Sequence, residues 1–295
     1  MEKRSSSSEA TIGELSRRGT VALEGTSASA RLDSEVLLGH LLAKSRTQLL
    51  VYCDEKVSDE VASRFGELVE RRRLGEPIAH ITGEREFWGL SFRVVPGVLV
   101  PRPESELLIE EALVFAAGQK RLRFLDLGVG SGCLSIALIT ELTRRGVDVE
   151  GVGIDLSPEA LAVAARNAEL HGVVDRLKLA QSDWFGGIDN QTPPFDLIIA
   201  NPPYIDPNES VPVELSFEPR GALFAEERGL KDARLILEQS GEWLRRDGMI
   251  LCEVGAGKRQ LLKPILRNLE ARYHISLLGD DSPHDRFTVL RLIRR

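Results

Sequence analysis

The chain has 295 residues, of which 42% are hydrophobic and 28% charged, a composition that is ordinary for a soluble globular protein and leaves room for two domains. Its net charge of −7 argues against a broad basic surface, so we expect no direct nucleic-acid partner. The three cysteines form no CxxC pair and only five histidines are present, which predicts no metal site and a reducing, cytoplasmic location.

The N-terminal part of the chain is predicted to be a short tail followed by helices. Residues 1–11 are charged and serine-rich without an apolar stretch, which predicts a disordered tail and no signal peptide. Residues 12–74 have apolar side chains at helical spacing and no proline, which predicts a small helical bundle. No residue pattern in this bundle is typical of a catalytic site. No stretch reaches the ~20 apolar residues of a membrane span, so no membrane contact is expected.

Residues 75–105 are predicted to link this bundle to a second domain. His80–Gly83 and Glu86–Val95 alternate between apolar and polar side chains like the two strands of a hairpin, with Gly89 near the turn. The stretch VLVPRPESE at 98–106 contains two prolines, which predict an extended loop. A helix is expected to begin at its end.

Residues 106–295 show the alternation of strands and helices that is typical of a three-layer α/β domain. The predicted strands are 122–127, 149–155, 177–180, 195–200, 249–254, 275–278 and 287–293. The predicted helices after the first of these strands are 132–144, 158–171, 230–245 and 259–271. Because no helix separates the last two strands, we predict a parallel sheet that ends in an antiparallel hairpin.

The stretch FDLIIANPPY, residues 195–204, carries the most specific chemical pattern. Two prolines cannot donate to a sheet, so the backbone must leave it after Ala200, at the strand end where open α/β sheets bind ligands. The side-chain oxygen of Asn201 and the backbone carbonyl of Pro202 can each accept a hydrogen bond from an NH2 group, and Tyr204 offers a flat face to a planar group. We therefore predict catalytic roles for Asn201, Pro202 and Tyr204; a plain turn is the alternative.

A second motif, DLGVGSG at 126–132, follows the first predicted strand of the sheet. Its glycines permit a tight turn and the close approach of a ligand. An NAD site is the rival, but the spacing is GxGxG rather than GxGxxG, and Asp126 suits a positively charged ligand better than a pyrophosphate.

Two further strand ends carry candidate ligand-binding residues. Asp155 ends the second strand about 20 residues past the glycines, where an acid binds ribose hydroxyls. A helix cap is the alternative for Asp155, although Ser157-Pro158 already supplies one. Asp183-Trp184 follows the third strand, where an adenine would lie; core packing is the alternative for Trp184.

These motifs together resemble the class I S-adenosylmethionine-dependent methyltransferases that act on NH2 groups. Four stretches resemble the HemK/PrmC family of release factor N5-glutamine methyltransferases, and they are GEPIAHITGEREFWGL (75–90), VLVPRPESE (98–106), SDWF (182–185) and NPPY (201–204). The resemblance covers nearly the whole chain. One difference is Ser105, where the family usually has threonine, so a hydroxyl is kept.

The resemblance implies a Rossmann-like class I methyltransferase sheet with a C-terminal antiparallel hairpin, preceded by a small all-α domain. It implies that S-adenosyl-L-methionine is the methyl donor and that the following residues contact it: Gly128, Val129, Gly130, Ser131, Gly132, Asp155, Trp184 and Asn201. It also implies that Asn201, Pro202, Pro203 and Tyr204 bind the substrate glutamine, which belongs to the Gly-Gly-Gln motif of a bacterial-type class 1 peptide chain release factor. Because such a substrate is a large protein, we interpret the helical bundle at 12–74 as a domain that recognises it; a purely stabilising role is the alternative. No obligate partner subunit is expected.

Three alternative functions remain at the level of sequence. An N5-glutamine methyltransferase of a ribosomal protein matches less well at PRPESE. An adenine-N6 DNA methyltransferase uses a similar NPPY motif but needs a basic recognition region. A nucleoside-binding module without chemistry would not need a pair of acceptors for an NH2 group.

Overall fold

The computed structural model describes residues 9–279 and 287–295, so the predicted tail at 1–11 lies outside the described residues as far as Ser8. The chain divides into two compact units, Met1–Gly83 and Glu84–Arg295. The division falls inside the stretch 75–105 that the sequence predicts as a linker. No helix in the described ranges is long and apolar enough to cross a membrane.

The first unit consists of helices, as predicted. They are α1 (Ile12–Leu23), α2 (Ala30–Leu42), α3 (Arg46–Val51), α4 (Asp59–Arg73) and α5 (Ile78–Thr82). Side chains at helical spacing form their common core, with Leu23, Leu37 and Phe65 among the buried members. Thr11 and Ser58 each accept a hydrogen bond from a backbone N–H of the first turn that they precede, which fixes the starts of α1 and α4.

Two predictions for this unit are wrong in detail. His80, Ile81 and Thr82 belong to the helix α5 rather than to a strand. The helical hydrogen bonds of α5 begin at the Pro77 carbonyl, and the helix ends at Gly83, which has a φ of 78°. The alternation of apolar and polar residues did not indicate a strand here, because Ala79, His80 and Ile81 are all buried and the polar residue does not mark a solvent-exposed face. In addition, Ala10 is buried and Thr11 caps α1, so the disordered tail cannot extend to residue 11.

The second unit begins with a hairpin and continues with alternating strands and helices. The strands are β1 (Glu84–Phe87), β2 (Leu90–Arg93), β3 (Arg121–Leu127), β4 (Asp148–Asp155), β5 (Leu177–Gln181), β6 (Phe195–Ala200), β7 (Leu244–Gly255), β8 (Tyr273–Leu278) and β9 (Phe287–Arg294). The helices are α6 (Glu106–Phe115), α7 (Cys133–Arg144), α8 (Pro158–Leu170), α9 (Arg220–Leu223), α10 (Glu226–Gly229), α11 (Lys231–Trp243) and α12 (Arg259–Leu269). Short 3-10 helices lie at Pro103–Ser105, Val174–Arg176 and Val213–Phe217.

In the described part of this unit, seven strands form one sheet in the order β5-β4-β3-β6-β7-β9-β8. The first five run parallel, and β9 is antiparallel to both of its neighbours. The predicted parallel sheet with a C-terminal antiparallel hairpin is therefore confirmed.

Both faces of the sheet are covered by helices, which explains the nearly continuous apolar runs of its central strands. Along β3, Leu122 and Phe124 pack into the layer formed with α6 and α7, whereas Leu125 and Leu127 pack into the layer formed with α11 and α12. The outcome is the predicted three-layer domain.

The strand order reverses between β3 and β6, which are direct neighbours with Leu127 beside Ala200. The residues that follow these two strands therefore meet at the carboxyl edge of the sheet. Ligands bind at such a switch point in open α/β sheets. Sheet topology alone thus brings the glycine motif and Asn201 together.

Candidate active site

A cavity of about 340 Å³ opens at this edge of the sheet. Most of the site residues predicted at strand ends line it: Gly128, Gly130, Asp155, Trp184, Asn201 and Pro203. Its wall also contains Gly97–Leu99, which overlaps the start of VLVPRPESE, and Pro219, Gly221 and Ala222, to which no sequence pattern pointed. Four separate strand ends and two loops therefore contribute to one binding space.

The glycine motif forms a tight turn that is held to the neighbouring strand. The backbone N–H groups of Gly128 and Val129 both donate to the carbonyl of Ile154, at 2.9 and 2.8 Å. Gly128 and Gly130 have φ angles of 78° and 54°, a backbone conformation that glycine adopts without strain. With no side chain at these two positions, the cavity reaches the backbone itself.

Three other residues predicted to bind the cofactor do not line the cavity. Val129 is buried, and its side chain faces Gly153 of β4, where a Cβ atom would lie 2.8 Å from it. Ser131 is buried as well, and its carbonyl accepts a hydrogen bond from Asn167 at 2.8 Å. Gly132 begins α7 with a φ of 82°, and a Cβ there would lie 3.3 Å from the Ala164 backbone. These residues shape the turn.

Asp126, which precedes the glycines, does not line the cavity either. It is fully buried, and its Oδ2 accepts a hydrogen bond from the Ser135 hydroxyl at 2.6 Å. Burial raises the pKa of Asp126 to about 7, with a further contribution from the negative charge of Asp155. Asp126 is thus separated from the cavity, and its expected contact with a positively charged ligand stays a prediction.

Asp155 lines the cavity and also holds the backbone next to it in place. Its Oδ2 accepts from the N–H of Gly130 and its Oδ1 from the N–H of Ser157, both at 2.9 Å. The cap of α8 is Ser157, whose hydroxyl oxygen accepts from the N–H of Ala160 at 3.2 Å. Asp155 is therefore not the helix cap; it joins the glycine turn to the end of β4.

Trp184 forms a wall of the cavity beside the glycine turn. Its ring lies 3.6 Å from where a Cβ of Gly128 would be, and its indole N–H donates to Oδ1 of Asp232 at 3.1 Å. Asp232 lines the cavity too, and burial raises its pKa. Sequence reasoning missed Asp232 because it lies in the first turn of α11, far along the chain and outside any motif.

The NPPY motif turns away from the sheet at the opposite side of the cavity. Asn201 donates from Nδ2 to the Ser105 hydroxyl oxygen at 2.9 Å. In the ranges 9–279 and 287–295, neither Oδ1 of Asn201 nor the carbonyl of Pro202 accepts a hydrogen bond. Asn201 lines the cavity, so its Oδ1 is available to a ligand there, whereas Pro202 is buried and does not line the cavity.

Tyr204 is half-buried and does not line the cavity. Its ring packs against Gly255, where a Cβ would approach it to 2.9 Å, and its hydroxyl lies near Glu253. Burial and the charge of Glu253 raise the pKa of Tyr204, so the phenol stays neutral. Its predicted contact with a planar substrate remains a prediction.

Two acids next to the site were not predicted. Glu253 is fully buried in β7 and accepts the Ser105 hydroxyl at 2.7 Å. A single acid inside the apolar run MILCEV could have drawn attention to it. Glu218 accepts from the backbone N–H of Val100 at 2.9 Å and from the Arg102 guanidinium at 2.6 Å, which ties the two wall loops together. No sequence pattern near Glu218 signals this contact.

A doubly wound sheet that ends in an antiparallel hairpin, with a glycine turn after its first strand and an acid after its second, defines a class I S-adenosylmethionine-dependent methyltransferase. Comparison with known proteins agrees. The family model described as "Methyltransferase domain" matches residues 119–263, and the model described as "PrmC N-terminal domain" matches residues 14–83.

The chain belongs to the release factor glutamine methyltransferase family. It is 36% identical to the release factor glutamine methyltransferase of Haemophilus influenzae, over 91% of this chain and 94% of that protein. It is 37% identical to that of Escherichia coli, over 90% and 93% of the two chains, and 40% identical to that of Vibrio cholerae, over 88% and 89%.

Similarity to solved structures supports the fold. A chain of Listeria monocytogenes assigned to the class I S-adenosylmethionine-dependent methyltransferases is 16% identical, with a TM-score of 0.50 over 96% of this chain and 86% of that chain. The catalytic domain of hMettl16, solved with a MAT2A 3'UTR hairpin, is 18% identical, with a TM-score of 0.55 over 80% of this chain and 82% of that chain.

Proposed function

We propose that this enzyme transfers a methyl group from S-adenosyl-L-methionine to the side-chain amide nitrogen of the glutamine in the Gly-Gly-Gln motif of a peptide chain release factor. The observation that carries the proposal is the free acceptor Asn201 Oδ1, which lines a cavity built on a glycine turn; the carbonyl of the next residue, Pro202, also accepts no hydrogen bond in the described ranges. The names of the relatives supply the identity of the substrate.

The cavity suits S-adenosylmethionine in size and in chemistry. A volume of about 340 Å³ falls within the range of small-molecule sites. The carboxylates of Asp155 and Asp183 line it and are acceptors for ribose hydroxyls or an adenine amino group. Trp184 supplies an aromatic wall, and the backbone at Gly128 and Gly130 is open to close approach. We therefore assign cofactor binding to these residues and to Asn201.

Val129, Ser131 and Gly132 take an indirect part in this assignment. They maintain the shape of the glycine turn, and none of them lines the cavity. Their contribution to cofactor binding is thus the placement of Gly128 and Gly130.

The same geometry accounts for methylation of an amide. An amide nitrogen is a poor nucleophile because its lone pair is delocalised. Two acceptors, Asn201 Oδ1 and the Pro202 carbonyl, can each take one hydrogen of the NH2 group and hold the nitrogen in a fixed orientation. The cofactor supplies a methyl group that is already activated on a sulfonium. Positioning then provides much of the rate, and no strong base is required, because the alkylated nitrogen is acidic and loses its proton late.

The substrate glutamine is assigned to Asn201, Pro202, Pro203 and Tyr204. Pro203 lines the cavity, whereas Tyr204 lies behind the turn, so its role would require contact with the part of the substrate outside the cavity. The bacterial release factor is the proposed partner, and its location in the cytoplasm sets that of the enzyme.

Mass spectrometry of a purified release factor tests the proposal. The intact factor is incubated with the enzyme and isotopically labelled S-adenosylmethionine, and the peptide that contains Gly-Gly-Gln is sequenced. We expect one methyl group on the glutamine side chain, and none on a factor whose glutamine is replaced by glutamate. Methylation of a ribosomal protein or of adenine in DNA, with an unmodified release factor, would contradict it.

A further inference from the structure

The described residues contain a chain of hydrogen bonds that runs from the buried acid Glu253 to the site. The Ser105 hydroxyl donates to Glu253 Oε2 at 2.7 Å, and Asn201 Nδ2 donates to the same Ser105 oxygen at 2.9 Å. Ser105 is 2% exposed and Glu253 is fully buried, so solvent does not compete for either group. Asn201, at the other end, lines the cavity.

Three separate elements bring these residues together. Ser105 ends the 3-10 helix Pro103–Ser105 and precedes α6, whereas Glu253 lies in β7. Ala200 and Cys252 are register partners in the neighbouring strands β6 and β7, so Asn201 and Glu253 follow side by side. The arrangement is thus set by the sheet register and by the loop that carries PRPESE.

The direction of these hydrogen bonds is determined by the acid. A carboxylate can only accept, so the single hydrogen of the Ser105 hydroxyl must point at Glu253. The Ser105 oxygen then presents lone pairs to Asn201, and only the NH2 end of that amide can meet them. If the amide were reversed, two acceptors would face each other. Oδ1 of Asn201 is therefore left as the free end.

We propose that Ser105 and Glu253 are positioning residues that fix the side-chain amide of Asn201, so that its oxygen faces the reacting NH2 group of the substrate. The inference rests on the proposed function and deepens it, because it names what makes Asn201 an acceptor rather than a donor at the site. Without this constraint the Asn201 amide has two orientations, and in one of them its NH2 group opposes the substrate NH2 group.

The surroundings of Glu253 agree with a carboxylate that gains its charge near neutral pH. Burial raises the pKa of Glu253 to about 7, and the negative charge of Glu104 adds to this rise. The Ser105 hydrogen bond, the Tyr204 hydroxyl and the positive charge of Arg102 oppose it. Because the ionised form locks Asn201, we expect kcat to increase between pH 6 and pH 8.

On the neighbouring strand β9, the charged side chain of Arg291 lies two residues from the register partner of Glu253, and its charge is paired with Glu111 of α6 at 3.0 Å. The adjacent Cys252 is a buried thiol whose pKa is raised by burial, so it stays neutral. The register partner of Glu253 on β9 is Val289, which is apolar.

Three variants of the full-length enzyme test the inference with release factor as substrate. Ser105→Ala removes the link to Asn201 and should lower kcat by about tenfold, the value of one lost hydrogen bond. Ser105→Thr keeps the hydroxyl and should stay within about threefold of the wild type. Glu253→Gln can donate to Ser105, releases the constraint, and should lower kcat by about tenfold and abolish the increase between pH 6 and pH 8.

Matched controls separate positioning from a loss of structure. Ser240→Ala removes another buried serine hydroxyl, which donates to the Ile236 carbonyl in α11, and it should leave kcat unchanged. Calorimetry should show that S-adenosylmethionine binds to the Ser105→Ala and Glu253→Gln enzymes with an affinity within about threefold of the wild type, since neither residue lines the cavity.

A double-mutant cycle provides the decisive measurement. If Ser105 acts only through Asn201, then Ser105→Ala has no further effect on kcat in an Asn201→Ala enzyme. Independent, multiplicative effects would overturn the inference, and so would a Ser105→Ala enzyme within twofold of the wild type. A wild-type enzyme that leaves the release factor unmodified would instead overturn the proposed function, and this inference with it.

Discussion

Asn201 is the residue on which the proposed chemistry depends most. Its Oδ1 is free and its Nδ2 is held by Ser105, so Asn201→Ala removes an oriented acceptor at the reacting nitrogen. We expect turnover to fall by ~10²-fold or more, as for other single preorganised polar groups. S-adenosylmethionine binding, measured by calorimetry, should change much less, because the other cavity residues remain. An Asn201→Ala enzyme within a few-fold of wild-type turnover would contradict the mechanism.

Asp155 contributes to cofactor affinity in two ways. It lines the cavity, and its carboxylate also accepts the N–H groups of Gly130 and Ser157. Asp155→Ala should therefore weaken S-adenosylmethionine binding by about 1.5–3 kcal/mol, the range for hydrogen bonds to a charged group. Asp155→Asn keeps one acceptor and should lose less. If calorimetry shows the same affinity for Asp155→Ala and the wild type, Asp155 only supports the turn.

The position of an individual site residue could be predicted from the sequence where that residue lies at the end of a buried strand. Asn201 and Asp155 both follow apolar runs, and the carboxyl ends of parallel strands must share one edge. Asp232 and Glu218 were not predictable, because Asp232 reaches the cavity from a helix and Glu218 supports the cavity wall from a loop, and the placement of both depends on tertiary packing. The turn residues Val129 and Gly132 were placed in the right motif, but the sequence does not distinguish lining a cavity from shaping its wall.

At the scale of the element, the strand β3 carries a buried acid that makes stability depend on pH. Burial raises the pKa of Asp126 to about 7, against about 3.9 for an unfolded aspartate. Between these values the unfolded chain has released a proton that the folded chain still holds. The free energy of unfolding therefore decreases as the pH rises from about 4 to 7.

Replacing this acid tests the effect directly. Asp126→Asn keeps an acceptor for the Ser135 hydroxyl and cannot ionise. We expect the variant to gain stability relative to the wild type as the pH rises from 5 to 8, by roughly 2–4 kcal/mol. Denaturant unfolding of both proteins across this pH range measures the difference in their free energies of unfolding. The contributions of the other titrating groups are the same in both proteins and cancel in this difference. A difference that does not change with pH would mean that Asp126 is already ionised in the folded enzyme at pH 5.

Elements with a full period of apolar side chains were predicted well, and short ones were not. The helix α8 and the strand β6 match their predicted ranges within a residue or so. Between β6 and α11, however, the helices α9 and α10 have four residues each, too few for a helical period to be visible in the sequence. The loop that carries Glu218 could therefore not be placed beside Arg102 in advance.

At the scale of the whole molecule, the two units have different tasks in our proposal. Among the described residues, those of the helical unit Met1–Gly83 form their own core and none of them lines the cavity, whereas the seven-stranded sheet and the residues that line the cavity belong to Glu84–Arg295. A separate unit on an enzyme whose substrate is a large protein is suited to bind that protein away from the reacting group. We infer this role for the helical unit; support of the fold alone is the alternative.

Deletion of residues 1–83 distinguishes these roles, because remote binding energy is available to the intact substrate but not to a fragment of it. We expect kcat/KM on the intact release factor to fall about tenfold or more, equivalent to about 1.4 kcal/mol of lost interaction. On a short Gly-Gly-Gln peptide it should change by less than about threefold. Calorimetry must first show that the shortened enzyme binds S-adenosylmethionine normally. Equal losses on both substrates would assign the helical unit to stability instead of recognition.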